Sequence, residues 1–454
     1  FAVQLTINKQ EAIAVLPSHH VPARLGRMTG TNKGGLNDGR RPLDLLALMI
    51  TVTGLRWMVF NYAGSPLPYF DQWLAEFNNL FLLGTVSHSG LGIWLTPHNE
   101  HFPVTMKLAS MLGFLLNGYW DVKFLALVSG VVRAAGAGVT WLLLTRGLEQ
   151  KQRVMVWILC ALAFGWPWSA FNALNGMQVS FYFADLAMLL SLLVVQRWSG
   201  ARSGLALVGL MLIGLGSMAS ALAIPLATIS LHVTQRKTRP AFVVAWLCTL
   251  LLAFAYVTLP AGTGIGSVPS IATAAHFFLT LLAWPLPWAG WGALVLIGGI
   301  VFFVHHRKGA ATPAAAVAFA LGVFAVGNCA MLALHRTPAD FHPRHWDSVG
   351  WLPFGLITLL GLWITTRSAT RLVRIAGSCV ATGLAAALAV TFLHTAWPYL
   401  HAAHQDRAAV VKHYRHAFLS GEFRAESLRV NRQLIDRNYT FFDDSVGRFA
   451  VHPT

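Results

Sequence analysis

The sequence predicts an all-α polytopic membrane protein with about eleven transmembrane helices and with interfacial helices in a long first external loop. Of its 454 residues, 56% are hydrophobic and only 11% are charged, and the mean hydropathy is +0.57. Apolar runs about as long as a membrane-crossing helix recur along the chain, separated by short polar segments. A soluble fold of this composition would need an implausibly large core.

Basic residues give the chain a net charge of +16, and they form small clusters between the apolar runs. This distribution argues against nucleic-acid binding and indicates membrane topology instead. Because Lys and Arg accumulate on the cytoplasmic side, the clusters are predicted to be cytoplasmic. They are Arg24, Arg27, Lys33, Arg40 and Arg41; Arg146, Lys151 and Arg153; Arg197 and Arg202; Arg236, Lys237 and Arg239; Arg307 and Lys308; and Arg367, Arg371 and Arg374. The remaining connections, poor in Lys and Arg, are predicted to be external at 63–121, 171–177, 260–275 and 336–347.

The first span, 43–62, is predicted to be an uncleaved anchor, because residues 1–40 lack the apolar core and cleavage site of a secretory signal. Residues 1–42 are then a cytoplasmic N-terminal segment that is disordered in part. Met28 resembles a natural start, since a short Gly-rich basic segment follows it. Residues 1–27 are therefore expected to be disordered or outside the native reading frame.

The later spans follow from the same alternation of apolar runs and basic clusters. They are predicted at 123–145, 153–170, 177–196, 204–218, 219–234, 240–259, 290–305, 311–334, 348–366 and 374–397. The apolar stretches 102–117 and 275–288 would place a basic cluster outside if they crossed, so both are predicted to be interfacial or re-entrant. The membrane domain then covers 43–397, and 398–454 is a small external C-terminal segment.

The first external loop begins with an amphipathic pattern over about residues 70–86, where aromatic and aliphatic residues recur at helical spacing. This pattern predicts an interfacial helix with its apolar side toward lipid. Asp71 and Gln72 lie at its start, beside the bilayer, where Asp71 is a candidate catalytic carboxylate and Gln72 a candidate substrate-binding residue. Asp71 also has a purely structural interpretation, because acidic side chains cap helix N-termini.

A second polar cluster, at 97–103, precedes the apolar stretch 102–117. Polar and ionisable groups gathered beside a membrane predict a functional site. The candidates are His98, Asn99, Glu100, His101 and, in the following helix, Lys107, whose long side chain can snorkel to the interface. The alternative is that Glu100 caps the helix and that the two histidines are interfacial polar groups.

Two further external segments carry candidate binding groups. The amides around 172–178 are suited to hydrogen-bonding sugar hydroxyls, with Gln178 as the candidate contact, although a short capped turn explains them equally well. In the late loop, Arg344 and His345 are suited to holding a phosphate, and the alternative is an interfacial anchor beside Trp346. Inside the spans, Arg133 is expected to pair internally, with Asp185 as a candidate partner.

Metal and disulfide chemistry have little support in the sequence. The four cysteines, Cys160, Cys248, Cys329 and Cys379, all fall in apolar runs without metal-like spacing, which predicts small core residues. The 18 histidines form no His-Glu-x-x-His pattern, so no zinc site is predicted.

Taken together, a long external loop after the first span, Asp71 within it, and a Pro- and His-containing segment before a juxtamembrane helix resemble the GT-C superfamily. These are integral-membrane glycosyltransferases that use polyprenyl-phosphate sugars, among them protein O-mannosyltransferases and the lipid A aminoarabinose transferase. The segment from His98 to Lys107 occupies the place of that family's proline-rich stretch, and 205–231, with its break at 216–220, is similar to the family's short hairpin.

The resemblance implies an inverting transfer of a sugar from a polyprenyl-phosphate donor to a hydroxyl of a glycan, lipid or protein acceptor. Asp71 matches the family's essential carboxylate and would be the general base. Glu100 would offset oxocarbenium charge or orient the acceptor, and Arg344 or His345 would hold the donor phosphate. No cofactor is firmly implied: the first external loop has no Asp-Asp or Asp-x-Asp doublet, and a divalent cation stays open. The resemblance also implies a bacterial inner-membrane location, and the charge pattern with the span count predicts a cytoplasmic N-terminus and an external C-terminus.

Two alternatives remain from the sequence. A polymerase or ligase of lipid-linked glycans would place its decisive site in a large late external loop, and here that loop is short. A transporter of lipid or sugar would typically have internal repeats and broken midplane helices. This chain shows no obvious repeat and concentrates its polar groups at the external side, which favours the enzyme.

Overall fold

A computed structural model describes fifteen parts of the chain. The described residues are 41–64, 72, 92–98, 101–117, 121–198, 200–235, 240–258, 269–286, 288–306, 312–336, 338, 343–365, 370–405, 439–443 and 448–453. From Leu43 onward they belong to one compact unit. This unit is built almost entirely of α-helices, which confirms the predicted helical class.

The helices follow the predicted apolar runs closely. In chain order they are α1 (Arg41–Ala63), α2 (Gly92–Leu95), α3 (Val104–Asn117), α4 (Val122–Leu144), α5 (Gln150–Gly165), α6 (Ala170–Leu174), α7 (Val179–Arg197), α8 (Ala201–Leu215), α9 (Ile224–Gln235), α10 (Pro240–Thr258), α11 (Ile271–Ala283), α12 (Ala289–His306), α13 (Pro313–His335), α14 (Trp346–Val349), α15 (Trp351–Ile364) and α16 (Arg371–Thr391). A single π-helical turn, Phe392–Ala396, extends α16, and helix continues to residue 405. Within the described residues, 3-10 turns lie at Gly176–Gln178, Ala219–Ala223 and Pro343–His345.

Six of the described helical stretches are long and apolar enough to cross a membrane. They are Arg41–Ala63, Val122–Leu144, Gly176–Arg197, Pro313–His335, Trp346–Ile364 and Arg374–Gln405. The protein is thus a candidate membrane protein by the length and composition of its helices. The total of about eleven crossings stays a prediction, because the other apolar helices are shorter.

The predicted span 153–170 is divided in the structure. Helix α5 ends at Gly165 and is followed by Trp166 and Pro167; at a proline a helix cannot continue without losing a hydrogen bond. A new helix, α6, begins after Ser169, whose hydroxyl accepts a hydrogen bond from the backbone N–H of Asn172 at 3.2 Å. This capped break brings Asn172 and Gln178 into the interior.

The centre of the bundle is formed by α4, α7, α13 and α15. In the apolar windows of α4 and α7, 67% and 78% of the residues are buried, against 17% in the last candidate span, which therefore lies at the periphery. Helices α13 and α15 approach closely at Gly355, where an added Cβ would lie 2.7 Å from the Ala318 carbonyl oxygen. Small residues at crossings allow helix backbones to approach this closely.

The C-terminal segment contains a β-ladder that the sequence did not predict. Strands β1 (Tyr439–Asp443) and β2 (Arg448–Pro453) pair antiparallel, with Tyr439 opposite Pro453 and Asp443 opposite Arg448. The register shifts between Thr440 and Phe442, which indicates a bulge.

Candidate functional site

A short segment, residues 343–350, contributes to the walls of two cavities of different character. It contains the 3-10 turn Pro343–His345 and the helix α14, and Gly350 follows. Arg344 lines a small cavity whose mixed wall carries several polar side chains, whereas Trp346, Asp347 and Gly350 line a larger one whose wall is almost entirely apolar. We call them the polar cavity and the apolar cavity. Both therefore depend on the position of the same segment.

The polar cavity brings together four of the predicted substrate-binding residues. Its volume is about 20 Å³, and its walls comprise His98, His101, Pro103, Met177, Gln178, Ser180, Phe181, Met218 and Arg344. These residues come from distant parts of the sequence. A space of this size holds about one water molecule, so it fits a single phosphate or hydroxyl oxygen rather than a whole sugar.

Backbone pairing places the two histidines of this cavity. The His98 amide donates to the His101 carbonyl at 2.8 Å, and the His101 amide returns a bond to His98 at 3.1 Å. The His101 ring then accepts a hydrogen bond from the Ala219 amide through Nδ1 at 3.4 Å. The paired residues His98 and His101 are thereby attached to the break between α8 and α9, where the Thr105 hydroxyl also donates to the Ser217 hydroxyl at 2.9 Å.

Lys107 and His345 have well-defined surroundings. The Lys107 ammonium donates to the carbonyls of Ile93 and Thr96 at 2.7 and 2.8 Å, so it closes the C-terminal end of α2. Burial lowers the pKa of this amine from its usual 10.5 to about 8. The His345 ring is buried and meets the Phe181 ring edge-on, with centroids 6.2 Å apart.

The other predicted site residues are only partly accounted for. Gln72 is fully buried. Asp71, Asn99 and Glu100 lie outside the described residues, so the proposed base and its helper stay predictions. Among the residues that the structure describes, no group of three or more His, Cys, Asp or Glu side chains is placed to hold a metal ion.

The apolar cavity is much larger, at about 640 Å³. Helices α5, α15 and α16 contribute aliphatic walls, and six tryptophans line it: Trp166, Trp168, Trp284, Trp346, Trp351 and Trp397. Two of them stack, since the ring centroids of Trp284 and Trp346 are 5.0 Å apart and the planes differ by 23°. Volume and lining are typical of a site for an apolar small molecule or a lipid chain.

Arg133 and Asp347 are the charged residues in the wall of this apolar cavity. Arg133 Nη1 lies 3.0 Å from Asp185 Oδ2, which confirms the internal pairing expected from the sequence. Its Nη2 lies 3.7 Å from Asp347 Oδ1 and donates to the Ala163 carbonyl at 3.3 Å. The guanidinium also lies over the Phe164 and Tyr182 rings, at 4.7 and 4.9 Å from their centroids.

Asp347 is the residue of this site that the sequence reasoning missed. Its Oδ2 accepts hydrogen bonds from Asn172 Nδ2 at 3.0 Å and from the Tyr182 hydroxyl at 2.9 Å. That hydroxyl accepts in turn from Arg56. The available signal was an Asp at the start of an apolar span, where an ionisable group needs a partner or a function.

The Asn172 side chain bonds two residues of the 343–350 segment, Arg344 and Asp347. Besides its bond to Asp347, its Nδ2 donates to the Arg344 carbonyl at 2.7 Å. One buried amide thus holds the backbone of a polar-cavity residue and the carboxylate of an apolar-cavity residue. The sequence predicted polar contacts at 172–178, but not this structural role.

No family model, no curated protein and no solved structure matches this chain.

Proposed function

We propose that the protein is an integral-membrane glycosyltransferase that moves a sugar from a polyprenyl-phosphate donor to an acceptor hydroxyl at the external membrane face. The observation that carries the proposal is the polar cavity, where His98, His101, Gln178 and Arg344 meet. Imidazole, amide and guanidinium groups are suited to an anionic phosphate and a neighbouring hydroxyl. The candidate spans of the chain agree with a lipid-linked substrate.

In the proposed reaction, the acceptor oxygen forms a bond to the anomeric carbon from the face opposite the phosphate. The bond between that carbon and the phosphate oxygen breaks, and its electron pair leaves with the polyprenyl phosphate. The acceptor proton passes to a carboxylate, which the sequence assigns to Asp71. Arg344 would stabilise the negative charge that grows on the leaving phosphate.

The test compares two external arginines in purified protein in lipid nanodiscs. A panel of polyprenyl-phosphate sugars is supplied, and donor loss is measured by mass spectrometry. We expect Arg344→Gln to lower kcat/KM about 10- to 100-fold, because a hydrogen bond to a charged group is worth about 1.5–3 kcal/mol. Arg336→Gln is the matched control: Arg336 follows α13 and lies outside the polar-cavity lining, so little change is expected.

Three outcomes separate the alternatives. Equal turnover by Arg344→Gln and the parent would exclude Arg344 as the phosphate contact, and equal turnover by Asp71→Asn would exclude the proposed base. If the parent consumes no donor of the panel but carries lipid or sugar across a vesicle membrane, the transporter alternative replaces the transferase.

A further inference from the structure

Residues that line the apolar cavity carry buried polar atoms without a hydrogen-bond partner among the described residues. Asp347 is 4% exposed, and its Oδ1 has no hydrogen-bond partner among the described residues, although Arg133 Nη2 lies 3.7 Å away. The Arg133 Nε and the Trp284 indole nitrogen, both from residues of the same lining, likewise have no hydrogen-bond partner there. Buried polar atoms are normally hydrogen-bonded, so these atoms indicate a missing partner.

Charge indicates what that partner is not. Arg133 is paired with two carboxylates, Asp185 and Asp347, and Arg56 reaches Asp347 only through the Tyr182 hydroxyl. The positive charge at the cavity wall is therefore already neutralised. A second anion, such as a phosphate or a fatty-acid carboxylate, would meet Asp347 without a free cation and would be disfavoured.

Hydrogen-bond chemistry indicates what the partner is. Oδ1 requires a donor, whereas the guanidinium Nε and the indole nitrogen each offer one. A hydroxyl group both donates and accepts, so it suits this mixture. The rest of the ligand must be apolar, because the cavity is otherwise lined by aliphatic and aromatic side chains.

We infer that the apolar cavity binds an uncharged lipid that carries a hydroxyl group, such as a long-chain alcohol, with the hydroxyl at Asp347. The 343–350 segment contributes to the wall of this cavity and to the wall of the polar cavity. The inference does not depend on the transferase activity, because binding is measured without turnover.

The test uses the full chain in nanodiscs and a long-chain alcohol that carries a diazirine in its alkyl chain. After irradiation, peptides containing α5 and α16 residues of the cavity, including Leu159 and Leu388, are expected to carry the label. Three competitors of equal length, octadecan-1-ol, octadecanoate and octadecane, are compared on the parent protein. We expect the alcohol to compete at a concentration about tenfold lower than the hydrocarbon or the carboxylate.

A pair of neighbouring alanines supplies the matched variants. Ala385 lines the cavity and Ala386 does not, and both are exposed on the peripheral helix α16, so neither change is expected to disturb the core. Ala385→Trp should reduce labelling severalfold by filling the cavity, and Ala386→Trp should leave it unchanged.

The inference fails if octadecane competes as well as the alcohol. That result would mean that the ligand makes no hydrogen bond to Asp347. It also fails if octadecanoate or a polyprenyl phosphate competes better than the alcohol, which would assign the cavity to an anionic lipid. Equal labelling of the two tryptophan variants would place the probe elsewhere. A protein that binds the alcohol but consumes no sugar donor would refute the proposed function and leave this site intact.

Discussion

At the scale of single residues, buried polar groups determine the site. Arg133 and Asp185 were predictable as partners, because ionisable side chains inside apolar spans need compensation. The role of Asp347 was not predictable, because an Asp at the start of a span is equally typical of an ordinary interfacial group. Only the structure shows that Asn172, Tyr182 and Asp347, which are far apart in sequence, share hydrogen bonds.

Removing Asn172 should affect both cavities. Asn172→Ala removes the donor to the Arg344 carbonyl and one of the two donors to Asp347 Oδ2, which keeps the Tyr182 hydroxyl. The loss of a hydrogen bond to a buried or charged acceptor costs about 1–3 kcal/mol. We expect a clear loss of thermal stability in detergent, measured by the temperature of unfolding. Asn117→Ala, which changes an exposed asparagine, is the control, with an expected change within about 0.5 kcal/mol. Equal unfolding temperatures for the two variants would contradict the role of Asn172.

The Arg133–Asp185 pair should show coupling in a double-mutant cycle. Arg133→Met alone leaves buried carboxylates without their cation and should destabilise the fold by about 3–5 kcal/mol. Adding Asp185→Leu should recover part of this loss, because it removes one of the uncompensated charges. The free energy of unfolding in mixed detergent micelles is measured for Arg133→Met, for Asp185→Leu and for the double variant. Strictly additive effects would show that the two side chains do not interact energetically.

At the scale of elements, helix positions were largely predictable and their breaks were not. Hydrophobic runs located the described apolar helices to within a few residues, because burial and lipid contact both require long apolar stretches. The division of 153–170 into α5 and α6 depended on the Pro167 break and the Ser169 cap, which a hydropathy pattern does not register. The β-ladder of the tail was missed because short strands carry a weaker pattern.

The crossing of α13 and α15 at Gly355 offers a test of packing. Gly355→Ala places a methyl group about 2.7 Å from the Ala318 carbonyl oxygen, so the helices must separate. We expect destabilisation of about 1–3 kcal/mol, as for other overpacked sites. Gly209→Ala in α8 is the control, because nothing lies within 4 Å of the added Cβ. The unfolding temperatures of Gly355→Ala and Gly209→Ala are compared. Equal stability of the two variants would contradict the close crossing.

The link between α2 and α3 through Lys107 predicts a pH dependence. The pKa of Lys107 is about 8 in the fold against a usual 10.5, so between these values the unfolded chain binds more protons. Below pH 8 the buried amine is charged, and its desolvation lowers the free energy of unfolding in full. This destabilisation disappears as the pH rises from about 8 to 10.5. The parent should therefore gain stability over this window relative to Lys107→Met. Parallel pH profiles of the unfolding temperature would contradict the lowered pKa.

At the scale of the whole molecule, the predicted orientation can be tested independently of function. Starting from a variant in which the four native cysteines are replaced by serine, a single cysteine is introduced at exposed Ser270 or exposed Glu149. The charge pattern predicts that a membrane-impermeant thiol reagent labels Ser270→Cys in intact cells. Glu149→Cys should react only after permeabilisation. The reverse labelling would invert the topology and move the proposed transfer to the other membrane face.

The candidate site was predictable in part because its chemistry is unusual for a membrane protein. His98, His101, Gln178 and Arg344 stood out as polar groups beside apolar runs, and the structure gathers them around one cavity. The apolar cavity could not be foreseen, because its walls are ordinary aromatic and aliphatic residues from separate helices. Such a space is a property of packing, and no local pattern encodes it.

The 343–350 segment, as a wall common to both cavities, has a thermodynamic consequence. Because Asn172 bonds both Arg344 and Asp347, a ligand that displaced the segment at one cavity would change the free energy of binding at the other. Such coupling is necessarily reciprocal: each occupant would alter the affinity of the other by the same factor. Cooperativity between the two proposed ligands would then pass through one hydrogen-bonded side-chain amide.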